Sequence, residues 1–251
     1  MEMVRAKVLA NEALSDTVMK MTLNSASIAE KALPGQFVNV RVSEHTAPLL
    51  RRPFGVAGAR AASGEFDIIY RVIGEGTQTL KGAALGADLS IVGPLGQGFD
   101  IGGKKTLIVG GGLGLAPLLF LAQARPDADV LMGARNASEL FWEKLFSKYC
   151  GNIFVTTDDG SYGTKGNVLA LLPSILGKTK YDLVCVCGPV PMMKAVAACC
   201  ADHGAPCQVS LEKYMACGLG ACLSCSFDGL SGRRKVCKDG PVFYSTEILS
   251  W

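Results

Sequence analysis

The pattern of apolar residues changes once along this chain, near residue 100, and that change restricts the possible architectures more than any other feature. From about residue 3 to 100, apolar residues come in short or alternating runs broken by turn residues: Val18 to Leu23, Phe37 to Val42, Gly55 to Ala57, Phe66 to Ile73 and Asp88 to Val92. Alternation turns one face of each run inward, so these segments predict an antiparallel β-barrel. After the turn-rich Gly93-Pro94-Leu95-Gly96-Gln97-Gly98, strand-like and helix-like runs alternate. They are Lys105 to Val109, Pro117 to Ala124, Asp129 to Met132, Ser138 to Lys148, Ile153 to Thr157, Val168 to Leu176, Leu183 to Cys187, Pro191 to Cys199 and Cys207 to Leu211. This second pattern predicts a doubly wound α/β domain around a parallel sheet. The last forty or so residues hold too little apolar sequence for a core of their own, so they must pack on the sheet, on a partner or on both. The expected division is a barrel over 1–100, an α/β domain over 101–210 and a small C-terminal domain over 211–251.

That last region holds Cys217, Cys222, Cys225 and Cys237, with four, two and eleven residues between successive cysteines. The spacing is that of plant-type iron-sulfur proteins and predicts a 2Fe-2S cluster with these four as its ligands. Gly218 and Gly220 allow a loop to wrap the cluster closely and aim backbone N–H groups at its sulfurs. A carrier of single electrons implies a partner redox group. Three other uses of cysteine fit less well. A disulfide scaffold is small and secreted, whereas this chain has 251 residues and opens Met-Glu-Met-Val-Arg-Ala-Lys with no apolar signal segment behind it. Structural zinc sites usually use two short Cys pairs, and only Cys222 and Cys225 form one. A Rieske centre needs two histidines beside two cysteines, but His45 and His203 are the only histidines and neither adjoins the motif.

Composition excludes several broad classes. Twenty-five basic residues against 22 acidic ones leave a net charge of +3, too small and dispersed to argue for nucleic acid. Thr106 to Ala124 carries no charge and is long enough for a membrane span. Its glycine cluster and Pro117 read better as a strand, a turn and the start of a buried helix. Ten cysteines without an export signal fit a reducing compartment, so a soluble, cytoplasmic protein without membrane contact is expected.

The predicted strand Lys105 to Val109 runs into Gly110-Gly111-Gly112-Leu113-Gly114-Leu115-Ala116-Pro117. Gly112 and Gly114 supply G-x-G, but the third position of the dinucleotide fingerprint is Pro117, so the match is partial. Proline suits the first turn of a helix, and free N–H groups there suit a pyrophosphate. A strand-to-helix turn without any ligand would use the same glycines. Further turns follow strands at Gly133-Ala134-Arg135-Asn136, Asp158-Asp159-Gly160-Ser161 and Cys187-Gly188-Pro189. Ligands of doubly wound sheets collect at such strand ends.

The order barrel, Gly-Gly-Gly-x-Gly-x-x-Pro, Cys-Gly-Pro and four-cysteine segment resembles the ferredoxin-NAD(P) reductase superfamily. More narrowly, Leu50-Arg51-Arg52-Pro53-Phe54-Gly55, Ile69 to Thr77, Leu211 to Cys217 and Val236 to Phe243 resemble the electron-transfer subunits of class 1B dihydroorotate dehydrogenase. The likeness covers nearly the whole chain. It implies FAD on the barrel, with Arg52, Pro53, Phe54, Gly55, Ile69, Tyr70 and Arg71 along the flavin and its phosphates, and Gly76 and Thr77 at the pyrophosphate. Arginine would supply charge-assisted bonds there, and the Gly-Thr turn would supply N–H groups and a hydroxyl. Gly55 departs from the Ser or Thr common in the family. Phe54 and Tyr70 serve equally well as barrel core. NAD is implied across Gly111, Gly112, Gly114 and Pro117, with Cys187, Gly188 and Pro189 beside it. Arg135 stands where an acidic ribose ligand is usual and could accept a 2′-phosphate instead.

The resemblance also implies a partner, an FMN-containing catalytic subunit that oxidises dihydroorotate in pyrimidine biosynthesis, in a two-plus-two heterotetramer. Electrons would pass through the cluster and FAD to NAD, with no catalytic acid or base on this chain. Leu219, Leu223 and Tyr214 to Ala216 are candidates for the docking face. Two other functions are open: a reductase subunit serving ferredoxin, sulfur or hydrogen metabolism, and a zinc-stabilised binding module without turnover.

Overall fold

The computed structural model describes residues 1–102 and 105–251. Its first part contains β1 (Glu2–Ala13), β2 (Val18–Asn24), α1 (Ala26–Lys31), β3 (Phe37–Val40), β4 (Arg52–Arg60), β5 (Glu65–Arg71), α2 (Glu75–Lys81) and β6 (Asp88–Leu95). The six strands close into an antiparallel barrel in the order β1-β2-β5-β4-β3-β6. Closure removes the exposed edges that an open sheet would present. Inward residues such as Val8, Met21, Val38, Val56, Phe66 and Ile91 fill the interior. On the opposite face of β5, between the inward Phe66 and Ile68, Asp67 is covered and satisfied by bidentate bonds from Arg60 at 2.8 and 3.0 Å and by the Thr22 hydroxyl at 2.7 Å.

The second part runs β7 (Thr106–Gly111), α3 (Leu115–Ala124), β8 (Asp129–Ala134), α4 (Phe141–Phe146), β9 (Ile153–Thr157), β10 (Thr164–Lys165), α5 (Leu172–Lys178), β11 (Leu183–Cys187), α6 (Val190–Asp202) and β12 (Cys207–Ser210). The rest of the chain forms the hairpin β13 (Ser226–Gly229) and β14 (Gly232–Lys235), then α7 (Val236–Asp239) and β15 (Val242–Tyr244). The large sheet has the order β10-β9-β8-β7-β11-β12-β15, parallel except for β15. Strand order reverses between β7 and β11, and the crevice at that switch point is where such sheets bind ligands.

Helix α3 explains the charge-free run. Leu115 to Ala122 are all buried, between β4 of the barrel on one side and the sheet on the other. A helix enclosed on every side is apolar all round. Among the described residues no helix is long and apolar enough to cross a membrane.

The C-terminal segment packs on the sheet. β15 pairs with β12, and Phe227, Val236, Cys237, Phe243 and Ile248 share one core with Val184, Val186 and Val209 of the sheet and with Phe37 and Leu95 of the barrel. Each such side chain contributes roughly 1.5–3 kcal/mol on burial, enough to fix a segment that has little core of its own. Phe227 meets Phe243 edge-on with centroids 4.9 Å apart, and the Arg234 guanidinium lies 4.7 Å over the Phe243 ring.

Candidate redox site

A cleft opens where the barrel, the start of α3 and the chain after β12 meet. Phe37, Pro53, Phe54, Gly55, Ile69, Tyr70, Arg71, Ile73 and Thr77 line it from the barrel. Leu113, Ala116 and Pro117 line the α3 side, and Ser210, Leu211, Glu212, Lys213 and Met215 close the third. An apolar slot with a few convergent polar groups is the usual form of a cofactor site. Tyr70 is both wall and core: it is buried, its ring lies 5.5 Å from that of Phe54, and its hydroxyl donates to Asn11 Oδ1 at 3.0 Å. Burial pushes that phenol up to about 12.

Gly55 now has a physical setting. A Cβ there would lie 3.1 Å from the Cβ of Pro117, so a larger residue would press on the first turn of α3. Arg52 lies over Gly76, where an added Cβ would come within 2.8 Å of Nε, and it donates to the Leu50 carbonyl. The Thr77 hydroxyl turns inward to its own helix start, accepting from the N–H groups of Ile73 and Gly74 at 3.0 and 3.2 Å. What Gly76 and Thr77 can offer an anion is therefore backbone N–H, with the Arg52 guanidinium above. Arg71 is more telling. Its Nε is buried without a partner, a costly state that an anionic or carbonyl ligand would relieve.

Arg71 also lines two further recesses that continue the cleft toward the sheet. The farther one is the switch-point crevice, walled by Gly111, Gly112, Gly133, Ala134, Arg135, Glu139, Asp158, Asn167, Pro189 and Met192. Gly114 is what lets the crevice close behind: a Cβ there would lie 2.5 Å from the carbonyl carbon and oxygen of Cys187 and 2.6 Å from Gly188 Cα. Pro117 sits in the first turn of α3, as the sequence predicts. Cys187 is buried, and desolvation foremost, with Glu212 nearby, pushes its thiol well above the ordinary range. Its side chain packs into the core of the sheet from the end of β11.

The four motif cysteines are free thiols that fall into two neighbouring pairs. Cys222 N–H points to Cys217 Sγ at 3.4 Å, Cys217 N–H to Cys222 Sγ at 3.5 Å, and Leu219 N–H to Cys217 Sγ at 3.3 Å. Cys237 N–H points to Cys225 Sγ at 3.5 Å in the buried pair. Two thiols per iron, each met by backbone N–H groups, is a donor set that suits a two-iron cluster. The Ser224 hydroxyl, 3.2 Å from Cys222 Sγ, with the Cys217 N–H, holds the Cys222 thiol down at about 6, toward the thiolate form that ligates metal. Burial and the neighbouring Cys225 push Cys237 up to about 12. Among the described residues no three His, Cys, Asp or Glu side chains are gathered as for a single ion.

The cysteine loop leans on the barrel. Asn39 of β3, almost fully buried, donates from Nδ2 to the Cys217 carbonyl at 3.3 Å, and its Oδ1 has no partner. Gly218 lies so close above it that a Cβ would come within 2.6 Å of Nδ2. Beyond the loop, Tyr214 is 97% exposed and Leu219 and Leu223 are open to solvent. Leu223 also holds φ of +64°, which costs a non-glycine residue about 1–2 kcal/mol.

Asn39, Glu139 and Glu212 are site residues that the sequence did not single out. Glu212 had a usable signal, since it follows β12 at a strand's C-terminal end. Solvent reaches it, yet the walls of the cleft desolvate its carboxyl enough to raise its pKa. Asn39 carried no such signal, being one polar residue inside an apolar strand.

Residues 212–249 match the iron-sulfur cluster binding domain of dihydroorotate dehydrogenase B, and residues 5–99 match the oxidoreductase FAD-binding domain. The dihydroorotate dehydrogenase B (NAD(+)) electron transfer subunit of Desulforamulus reducens is 37% identical over 97% of both chains. That of Caldanaerobacter subterraneus subsp. tengcongensis is 39% identical over 98% of both. Among solved structures, a chain of the NADH-dependent reduced ferredoxin-NADP oxidoreductase superposes with a TM-score of 0.88 at 30% identity, over 98% of this chain and 90% of that one. The ferredoxin reductase of carbazole 1,9a-dioxygenase shares the fold at a TM-score of 0.68 and 22% identity, over 82% of this chain and 67% of that one. With relatives of this identity along almost its whole length and both cofactor-domain matches in place, the chain belongs to the family of dihydroorotate dehydrogenase B electron transfer subunits.

Proposed function

We propose that this chain carries electrons from a dihydroorotate-oxidising catalytic subunit to NAD. One observation supports this reading most: the cysteine loop, the barrel cleft and the switch-point crevice adjoin one another in that order. Met215, two residues before Cys217, lines the cleft, and Pro117 at the opposite wall belongs to the turn that borders the crevice. FAD in the cleft and a 2Fe-2S cluster on the loop would together supply the exchange between hydride transfer and single-electron transfer.

The residues divide that work. Cys217, Cys222, Cys225 and Cys237 would hold the cluster, and the N–H groups of Cys217, Leu219, Cys222 and Cys237 temper the charge on the sulfurs. Phe54, Gly55, Ile69 and Tyr70 would shape the flavin slot, while Arg52, Arg71, Gly76 and Thr77 offer donors to its phosphates. Gly111 and Gly112 would form the crevice floor for a nicotinamide nucleotide, Gly114 closes it behind against Cys187 and Gly188, Pro117 stands on the flavin side, and Pro189 faces the crevice from the turn after β11. Tyr214, Leu219 and Leu223 form an apolar rim beside the cluster loop, the side from which a catalytic subunit would approach in a two-plus-two assembly. Ten free cysteines support a reducing cytoplasm as its place.

Co-expression with a dihydroorotate-oxidising FMN protein tests the reading. Joint purification with dihydroorotate-dependent reduction of NAD is the expected result; no association, or reduction of NAD without the partner, would refute it. The ferredoxin-NADP oxidoreductase likeness at a TM-score of 0.88 favours one second reading, a reductase subunit serving ferredoxin. Under it, the purified chain would exchange electrons with reduced ferredoxin and not with the dihydroorotate-oxidising protein.

A further inference from the structure

In a doubly wound sheet, the second strand ends beside the adenosine ribose, where an acidic side chain bonds the 2′-hydroxyl or an arginine accepts a 2′-phosphate. Here β8 ends in Gly133-Ala134 and Arg135 follows it, which on sequence alone suits the phosphate. The structure places that arginine differently. Arg135 Nε donates to Glu139 Oε1 at 2.8 Å, Nη2 donates to the same oxygen, and the Arg135 backbone N–H donates to Oε2 at 3.2 Å. Glu139 is the seated member of the pair, 22% exposed against 73% for Arg135, so the guanidinium is drawn down onto the carboxylate. The short turn that carries Glu139 is itself fixed: Asn136 Oδ1 accepts from the N–H of Ser138 at 3.1 Å and from its hydroxyl at 2.6 Å. Asp158, just beyond β9, lines the same recess.

We propose that Glu139 sets the nucleotide preference of this chain: by occupying Arg135 and, with Asp158, placing carboxylates in the wall of the recess that would hold the ribose, it admits NAD and rejects a 2′-phosphate. The inference rests on the reading that the crevice binds a nicotinamide nucleotide. A 2′-hydroxyl is a donor and suits a carboxylate acceptor. A 2′-phosphate would bring close to two negative charges against Glu139 and Asp158 while Arg135, the arginine at the end of β8, has Nε and Nη2 turned onto Glu139; Arg71 lines the recess from the barrel side. Releasing Arg135 removes one repulsion and restores one charge-assisted bond.

The test is steady-state oxidation of NADH and of NADPH, with ferricyanide as acceptor, by the FAD- and cluster-loaded full chain. Wild type is compared with Glu139→Ala, Glu139→Gln and the double variant Glu139→Ala/Arg135→Ala. In Glu139→Ala the NADPH-to-NADH ratio of kcat/KM should rise by about tenfold or more, the effect of one charge-assisted hydrogen bond, and the rise should lie mainly in KM. Glu139→Gln keeps the shape and loses the charge, so it should move the ratio the same way by a smaller factor; it decides the matter if the alanine variant fails to fold. The double variant should return the ratio toward wild type. An unchanged ratio in Glu139→Gln and Glu139→Ala, or a rise that loss of Arg135 leaves undiminished, would overturn the proposal. Absence of NADH oxidation by wild type would instead overturn the crevice reading on which it rests.

Discussion

Replacing Gly114 with alanine tests whether the switch-point crevice handles the nucleotide. The new methyl would sit 2.5 Å from the carbonyl of Cys187 and 2.6 Å from Gly188 Cα, and ordinary contact begins near 3.4 Å. Backbone must therefore yield by about 0.9 Å, since no flexible side chain is there to swing aside. Strain of this kind costs about 1–3 kcal/mol, which a domain with 5–15 kcal/mol of stability survives. Geometry suffers more than stability. The displaced turn carries Gly112, Leu113 and Pro117, which line the crevice and the barrel cleft, and a misplacement near 1 Å typically costs about 100-fold in rate. Anaerobic stopped-flow reduction of the bound flavin by NADH should accordingly slow by about 100-fold in Gly114→Ala, with flavin and iron-sulfur absorption retained. Native-rate reduction by a folded Gly114→Ala protein would refute the reasoning, because the nucleotide would then not depend on how β7 passes β11.

Two further expectations follow from polar groups at the site, the buried Asn39 and the solvent-reached but desolvated Glu212. Asn39→Leu removes the donor to the Cys217 carbonyl, about 1 kcal/mol, so the reduced-cluster electron paramagnetic resonance signal should shift and its midpoint potential should move by up to about 40 mV, the limit set by a bond made in one oxidation state alone, with the flavin spectrum unchanged; an unaltered signal and potential would show that Asn39 does not position the loop. Glu212 has a folded-state pKa raised by desolvation, so it favours folding below the ordinary glutamate value of 4.5 and costs stability as pH climbs through the raised value. Glu212→Gln should therefore gain melting temperature relative to wild type between acid and neutral pH, and a pH-independent difference would contradict that assignment.

The barrel and the wound sheet were legible because their strands alternate or run apolar, and residues such as Val18 to Leu23 and Ile153 to Thr157 emerge at almost the predicted bounds. β1 escaped notice because its outer face carries the exposed Met3 and Leu9, which blur the alternation around the buried Ala6 and Val8. α1 and α2 span six and seven residues, too few to show a helical period. β4 was read as only Gly55 to Ala57, since Pro53 and Gly55 interrupt its pattern, and those are residues of the cleft itself. Site residues commonly break the local rules that make a fold readable. Glu139 and Asn39 were beyond reach for another reason: their roles depend on a turn and a loop approach that exist only in three dimensions.

The central claim is that nucleotide crevice, barrel cleft and cysteine loop form one conducting path. Anaerobic titration of the purified, iron-loaded protein with NADH, followed by optical and electron paramagnetic resonance spectra together, tests it most directly. The account predicts that NADH bleaches the flavin and raises a reduced 2Fe-2S signal in the same protein, and that Cys222→Ser alters or abolishes that signal while flavin bleaching persists. A flavin reduced by NADH beside a cluster that stays oxidised at a potential low enough to reduce it, or a Cys222→Ser protein with a native cluster signal, would contradict it.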